Sequence, residues 1–174
     1  LEEIAELILN GYKPVLIACG SASYCGLAAQ YLFADLGIDA INYGAYEYEP
    51  FAHLASDKTI VFAISQSGET ADTILAVKEA KKRGAKIVGV INAQGTTLER
   101  LADYLLPVEA GPEIAVVSTK GFTAQLATFF ALHGLIKKTN SNIFVDDFVR
   151  RHLFNAFFDN IFAQSHISVE MDEI

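Results

Sequence analysis

The chain has 174 residues, of which 52% are hydrophobic and 20% charged, enough apolar material for one large core in a single globular domain. A formal net charge of −8 excludes a broad nucleic-acid footprint but not a local anion site, since backbone amides bind phosphate without any net positive charge. No apolar run reaches membrane-spanning length and the first residues show no basic-then-apolar signal pattern, so neither a nucleic acid nor a membrane is expected as a partner.

Leu1, Ile4, Ala5, Ile8 and Leu9 recur at helical spacing and predict a first helix, which Gly11 stops. Pro14 opens the apolar run Val15–Cys19, closed by Gly20, which suits a strand buried on both faces of a parallel sheet. A helix follows over Ser23–Leu36, with Leu27, Tyr31 and Leu32 on one side and Gly37 as its C-cap. Ile38–Tyr43 reads as a weak strand and Glu47–Ala55 as a short helix. Thr59–Ile64 is a strong strand, Thr70–Arg83 a helix closed by Gly84, and Lys86–Ile91 another buried strand. A short helix over Thr97–Ala102, a last strand over Tyr104–Val108 and a long helix over Thr119–Lys137 complete the alternation.

Five apolar runs separated by helices predict an α/β fold of three layers, a five-stranded parallel, doubly wound sheet between helices, filling residues 1–140. From Asn142 the texture changes. Phe144, Phe148, Phe154, Phe158, Ile161 and Phe162 recur at mostly helical spacing, predicting an amphipathic extension over 141–174. Its apolar face is expected to pack on the domain, a second domain or another subunit. Cys19 and Cys25 stand six residues apart with no zinc-ligand spacing beside them, and bridging a strand end to the next helix would strain the turn. Free thiols in a reducing cytoplasm are the expectation. The chain begins at Leu1 and its single methionine is Met171, which points to a domain of a longer protein.

In doubly wound sheets, ligands bind beyond the carboxyl ends of the strands, where strand order reverses. Three segments fall at such ends. Ser65-Gln66-Ser67-Gly68-Glu69-Thr70 offers three hydroxyls, an amide side chain and a glycine where a helix begins, a composition that suits a phosphate at exposed first-turn amides. Ser67 or Thr70 as a plain helix cap is the competing reading, although a cap needs only one hydroxyl. Gly20-Ser21-Ala22-Ser23 is a glycine turn into a helix, with Ser21 or Ser23 placed for the same phosphate or for capping. Only Gly20 and Gly26 are present there, not the three-glycine dinucleotide fingerprint. Gly111–Lys120 leads into the long helix at Ser118-Thr119, where Ser118 either caps or faces the ligand.

The SQSGET loop at Ser65–Thr70, continuing as Ala71-Asp72-Thr73, resembles the phosphate loop of sugar isomerase (SIS) domains. AGPEIAVVSTKGFTAQ, Ala110–Gln125, is similar to a signature of the glutamine–fructose-6-phosphate aminotransferase branch of that family, and Ala18-Cys19-Gly20 matches the family's first loop. The resemblance implies a flavodoxin-like sheet and a bound hexose 6-phosphate. By position, Ser65, Gln66, Ser67 and Thr70 would hold the phosphate, Ser21 would border it, and Val116 and Ser118 would approach the sugar. Where the family often has Thr-Ser, this chain has Ser21-Ala22, so one phosphate contact is either missing or taken over by Ser23.

The resemblance further implies a parent with a glutaminase domain and a second SIS domain, in a homodimer or higher homo-oligomer, with the catalytic base outside these residues. No catalytic role falls on Glu47, Glu69, Glu113, His53, His133, His152 or His166, and no pattern calls for a metal or cofactor. Competing readings are a stand-alone single-domain isomerase, the phosphosugar-sensing half of a regulator, and a tandem-domain deglycase or isomerase acting on another amino sugar.

Overall fold

Runs of apolar residues without polar alternation form the centre of the molecule, as expected of strands buried on both faces. The computed structural model describes residues 1–108, 110–111 and 119–139. Strands β1 (Lys13–Ala18), β2 (Ile41–Gly44), β3 (Thr59–Ser65), β4 (Lys86–Ile91) and β5 (Tyr104–Pro107) pair in parallel in the order β2-β1-β3-β4-β5. All seven residues of β3 are buried, which marks it as the central strand. Helices α1 (Glu2–Leu9), α2 (Ser21–Asp35) and α5 (Thr119–Thr139) pack on one face. Helices α3 (Ala71–Lys82) and α4 (Thr97–Leu101), with 3-10 turns at Ala45–Glu47 and Glu49–Leu54, cover the other. This is the three-layer, doubly wound architecture that the alternation predicts.

Period-two alternation sends each strand's side chains to two cores. Toward α2 and α5, Phe62 lies between Phe33 and Phe129, with ring centroids 5.8 Å and 5.6 Å away. Toward α3 and α4, Val61, Ala63, Ile87 and Ile91 meet Ala76, Val77, Ala80 and Leu98. Ser65 continues the second series, so its hydroxyl emerges on the α3 side of the sheet.

Three details differ from expectation. The buried face of α2 is Cys25, Gly26, Ala29 and Phe33, while Leu27 and Tyr31 point outward, 40% and 72% exposed. Close approach selects the small residues: a Cβ on Gly26 would stand 2.3 Å from Asn42 Oδ1 and 3.4 Å from Leu16 Cβ. The second strand begins at Ile41 rather than Ile38, because the Gly37 and Ile38 amides fold back to the carbonyls of Ala34 and Phe33 to close α2. The helix expected over Glu47–Ala55 is split into 3-10 turns with Pro50 inside the second.

Cys19 and Cys25 are both free, one at the end of β1 and the other buried in α2. Among the described residues no helix is long and apolar enough to cross a membrane. The amphipathic extension expected over 141–174 lies outside the described residues, as do Glu113, Val116, Ser118, His152 and His166.

Candidate functional site

Strand order reverses between β1 and β3, since β2 lies on the far side of β1 and β4 on the far side of β3. The crevice beyond their carboxyl ends is therefore flanked by the loops at Gly20–Ser23 and Ser65–Thr70. Ser65, the last residue of β3, is buried; its Oγ accepts the Gly68 N–H at 3.0 Å and lies 3.1 Å from Thr70 Oγ1. These two bonds curl the loop, and Gly68 completes the curl with φ of 65°, a conformation that side chains disfavour. Ser67 stands exposed at the tip, with its Oγ accepting the Glu69 N–H at 3.2 Å.

Thr70 is the N-cap residue of α3, yet no side chain caps that helix. The Thr70 hydroxyl turns to Ser65 and the Ser67 hydroxyl to its own loop, so neither performs the capping role weighed against ligand binding. What remains is the amino end of a 12-residue helix, ringed by hydroxyls and carrying the positive end of its dipole. Such a constellation accepts a phosphate or carboxylate through neutral donors.

The first loop meets it across the crevice. Gly20 adopts φ 60°, ψ −136°, open to glycine and strained for other residues, and Ser21 is the exposed first residue of α2. Ser23 Oγ donates to the Gly20 carbonyl at 2.6 Å, so its hydroxyl proton is already engaged and Ala22 has no direct substitute there. Thr73 Oγ1, in the first turn of α3, donates to Cys19 Sγ at 3.8 Å and ties the two loops' elements together.

Sequence reasoning missed the scaffold behind the phosphate loop. The Gln66 carbonyl accepts the Ala93 N–H at 3.1 Å and the Gly68 carbonyl accepts the Leu98 N–H at 3.0 Å. Thr96 and Glu99 form a reciprocal capping box at the start of α4, and Thr96 fills the space against Gly68. The Glu69 carboxylate accepts the Thr97 N–H at 2.6 Å, which holds its carboxyl below the usual range. The Thr96-x-x-Glu99 pattern was a readable capping signal; its pairing with a loop 28 residues upstream was not. Beside this scaffold, Asn92 accepts the Ala110 N–H and donates to the Gly111 carbonyl, each at 2.8 Å, anchoring the start of the third segment. A groove of about 410 Å³ between Asn92, Gln94, Glu99, Leu105 and Gly111 lies beyond β4 and β5, beside the switch point rather than in it.

The SIS domain family description matches residues 10–133, which takes in every element from β1 through most of α5. The chain belongs to the SIS domain family. Its SIS domain is 47% identical over 118 residues to glutamine–fructose-6-phosphate aminotransferase (isomerizing) of Thermus thermophilus, covering 67% of this chain and 20% of that protein. The enzyme of the same name from Corynebacterium glutamicum is 42% identical over 146 residues, covering 83% of this chain and 23% of the relative. The chain thus spans less than a quarter of the length of these curated relatives. Among solved structures, the C-terminal domain of glucosamine-fructose-6-phosphate aminotransferase from Francisella tularensis superposes with a TM-score of 0.75 at 27% identity, covering 94% of this chain and 46% of that one.

Proposed function

We propose that this SIS domain binds a hexose 6-phosphate, fructose 6-phosphate or glucosamine 6-phosphate, as one half-site of an aminotransferase that makes glucosamine 6-phosphate. The observation that carries this reading is the uncapped amino end of α3 at the switch point, ringed by the Ser65, Ser67 and Thr70 hydroxyls. Ser65, Gln66, Ser67 and Thr70 hold the phosphate, Ser21 borders it from the first loop, and Val116 and Ser118 meet the sugar. Residues 1–140 are the binding unit.

Proton transfer between sugar carbons needs a carboxylate or imidazole at the reacting atoms. Of the side chains weighed for that task, three have partners of their own: Glu69 with Thr97, His133 with Asp35, and His53 with the Pro50 carbonyl. On this reading the base comes from a second SIS domain or a neighbouring subunit, and a glutaminase domain supplies the nitrogen. A homodimer or higher homo-oligomer, in the cytoplasm, is the assembly that fits.

Calorimetric titration of the chain with fructose 6-phosphate, glucosamine 6-phosphate and unphosphorylated fructose, with a parallel isomerisation assay, tests the reading. Expected are binding that requires the phosphate, a loss of about tenfold in Ser67→Ala for one charge-assisted hydrogen bond, and no turnover. Turnover by the isolated chain would make it a complete isomerase. Equal affinity for unphosphorylated fructose would refute the phosphate site.

A further inference from the structure

The geometry points to Glu69 as a positioning residue that shapes the phosphate loop through the amino end of α4, an inference that rests on the phosphosugar reading. Glu69 is exposed and follows the loop's tightest residue, one position before the N-cap of α3. Its Oε1 accepts the Thr97 N–H at 2.6 Å, the first amide of α4. The next amide along, Leu98 N–H, binds the carbonyl of Gly68 at 3.0 Å, one residue before Glu69. Two consecutive residues of the loop are thus clipped to two consecutive amides of α4, a two-point contact that fixes both position and direction.

The clip has a second effect. A carboxylate beside an anion site repels the ligand, and pairing it with the positive end of α4 offsets that charge. Arg100, one turn along α4, adds to the same field at Glu69. Glu69 acts through the loop's shape and does not touch the ligand.

Two substitutions isolate the clip from its two ends. Glu69→Ala removes the acceptor, whereas Glu69→Gln keeps a neutral oxygen in the same place. Thr97→Pro removes the donating amide, together with the Thr97 hydroxyl that also bonds Glu69 and accepts from Arg100, while Glu69 itself is unaltered. Proline is favoured at the first position of a helix, and Thr96 already holds φ −87°, ψ 165°, the conformation required before proline.

In calorimetric titrations with fructose 6-phosphate, Glu69→Ala and Thr97→Pro are each expected to weaken binding about tenfold, and the double variant no further. Glu69→Gln is expected to retain affinity within about threefold. Amide hydrogen exchange without ligand should speed up at Gly68, whose N–H binds Ser65, in Glu69→Ala and Thr97→Pro, with the exchange of β3 unchanged. Unchanged affinity and unchanged Gly68 exchange in both variants overturn the inference, as does a Glu69→Gln loss equal to that of alanine. Failure of the wild-type chain to bind any hexose phosphate overturns the phosphosugar reading instead, while Gly68 exchange still reports whether the clip shapes the loop.

Discussion

Gly68→Ala should be among the most damaging single-methyl additions available in this chain. Gly68 sits at φ 65°, and a left-handed backbone costs a side-chain-bearing residue about 1–2 kcal/mol. The new Cβ would also stand 2.2 Å from Thr96 Oγ1, 2.6 Å from its Cβ and 2.9 Å from its Cγ2. Thr96 is buried and its Oγ1 caps α4, so it cannot rotate away without surrendering the capping box, a further loss of about 1 kcal/mol. The total is about 2–3 kcal/mol in a urea or thermal unfolding experiment. Thr96→Gly provides the control, since it removes the colliding atoms while glycine remains an acceptable N-cap. In that background Gly68→Ala should cost only the backbone part, leaving a coupling of about 1 kcal/mol or more. A Gly68→Ala chain within about 0.5 kcal/mol of wild type, or a cost unchanged by Thr96→Gly, would refute the steric account.

Two further outcomes follow from charge and burial. Asp35 accepts from His133 at 2.8 Å and Lys137 at 3.2 Å, and these bonds hold its carboxyl below the ordinary value of 3.8. Because the folded-state pKa is the depressed one, the contact stabilises above that value and is lost as pH falls through the folded pKa. Asp35→Asn should therefore lower the unfolding free energy from urea melts at about pH 6 by a few tenths of a kcal/mol, screened by exposure and salt, with the difference shrinking as pH falls through the folded pKa; a gap constant across that range would sink the assignment. Burial pushes the Cys25 thiol up to about 12, whereas Cys19 is partly exposed at the crevice. Native alkylation followed by peptide mass mapping should modify Cys19 first, and Cys25 labelling at an equal rate would contradict its burial.

β1, β3 and β4 were legible because each is a short apolar run ended at Gly20, Ser65 or Asn92, a pattern that survives any detail of packing. The site loops were legible for a related reason: each follows such a run and leads into a helix, so the alternation placed them together at one sheet edge before any contact was known. The face of α2 was not legible. Apolar size suggests Leu27 and Tyr31 as the inner stripe, but the helix approaches β2 so closely that Gly26 and Ala29 are what fit, and the larger residues are turned to solvent. Periodicity reports which residues share a side and is silent on how near the neighbouring layer comes. Glu69 shows the same limit at the site. Its place in the chain, just before α3, does not reveal its partner, the amide of Thr97, reached only once β4 has brought α4 alongside.

That placement also explains how an acidic chain can present an anion site. A net charge of −8 gives no general attraction for a phosphate, so the attraction has to be local. On the proposed reading, neutral hydroxyls and the amino end of α3 provide it without a lysine or arginine in the loop. Glu69, the carboxylate next to them, is the residue most able to cancel it. Binding that carboxylate to the start of α4 pairs one helix's positive end with the loop's own negative charge and leaves the other helix's positive end for the ligand. On the proposed reading two helix amino ends divide the work, and the capping box that fixes α4 would contribute to affinity at a distance from the ligand. On this account, weakening α4 by Glu99→Ala should reduce phosphosugar affinity even though Glu99 belongs to the scaffold and not to the phosphate loop.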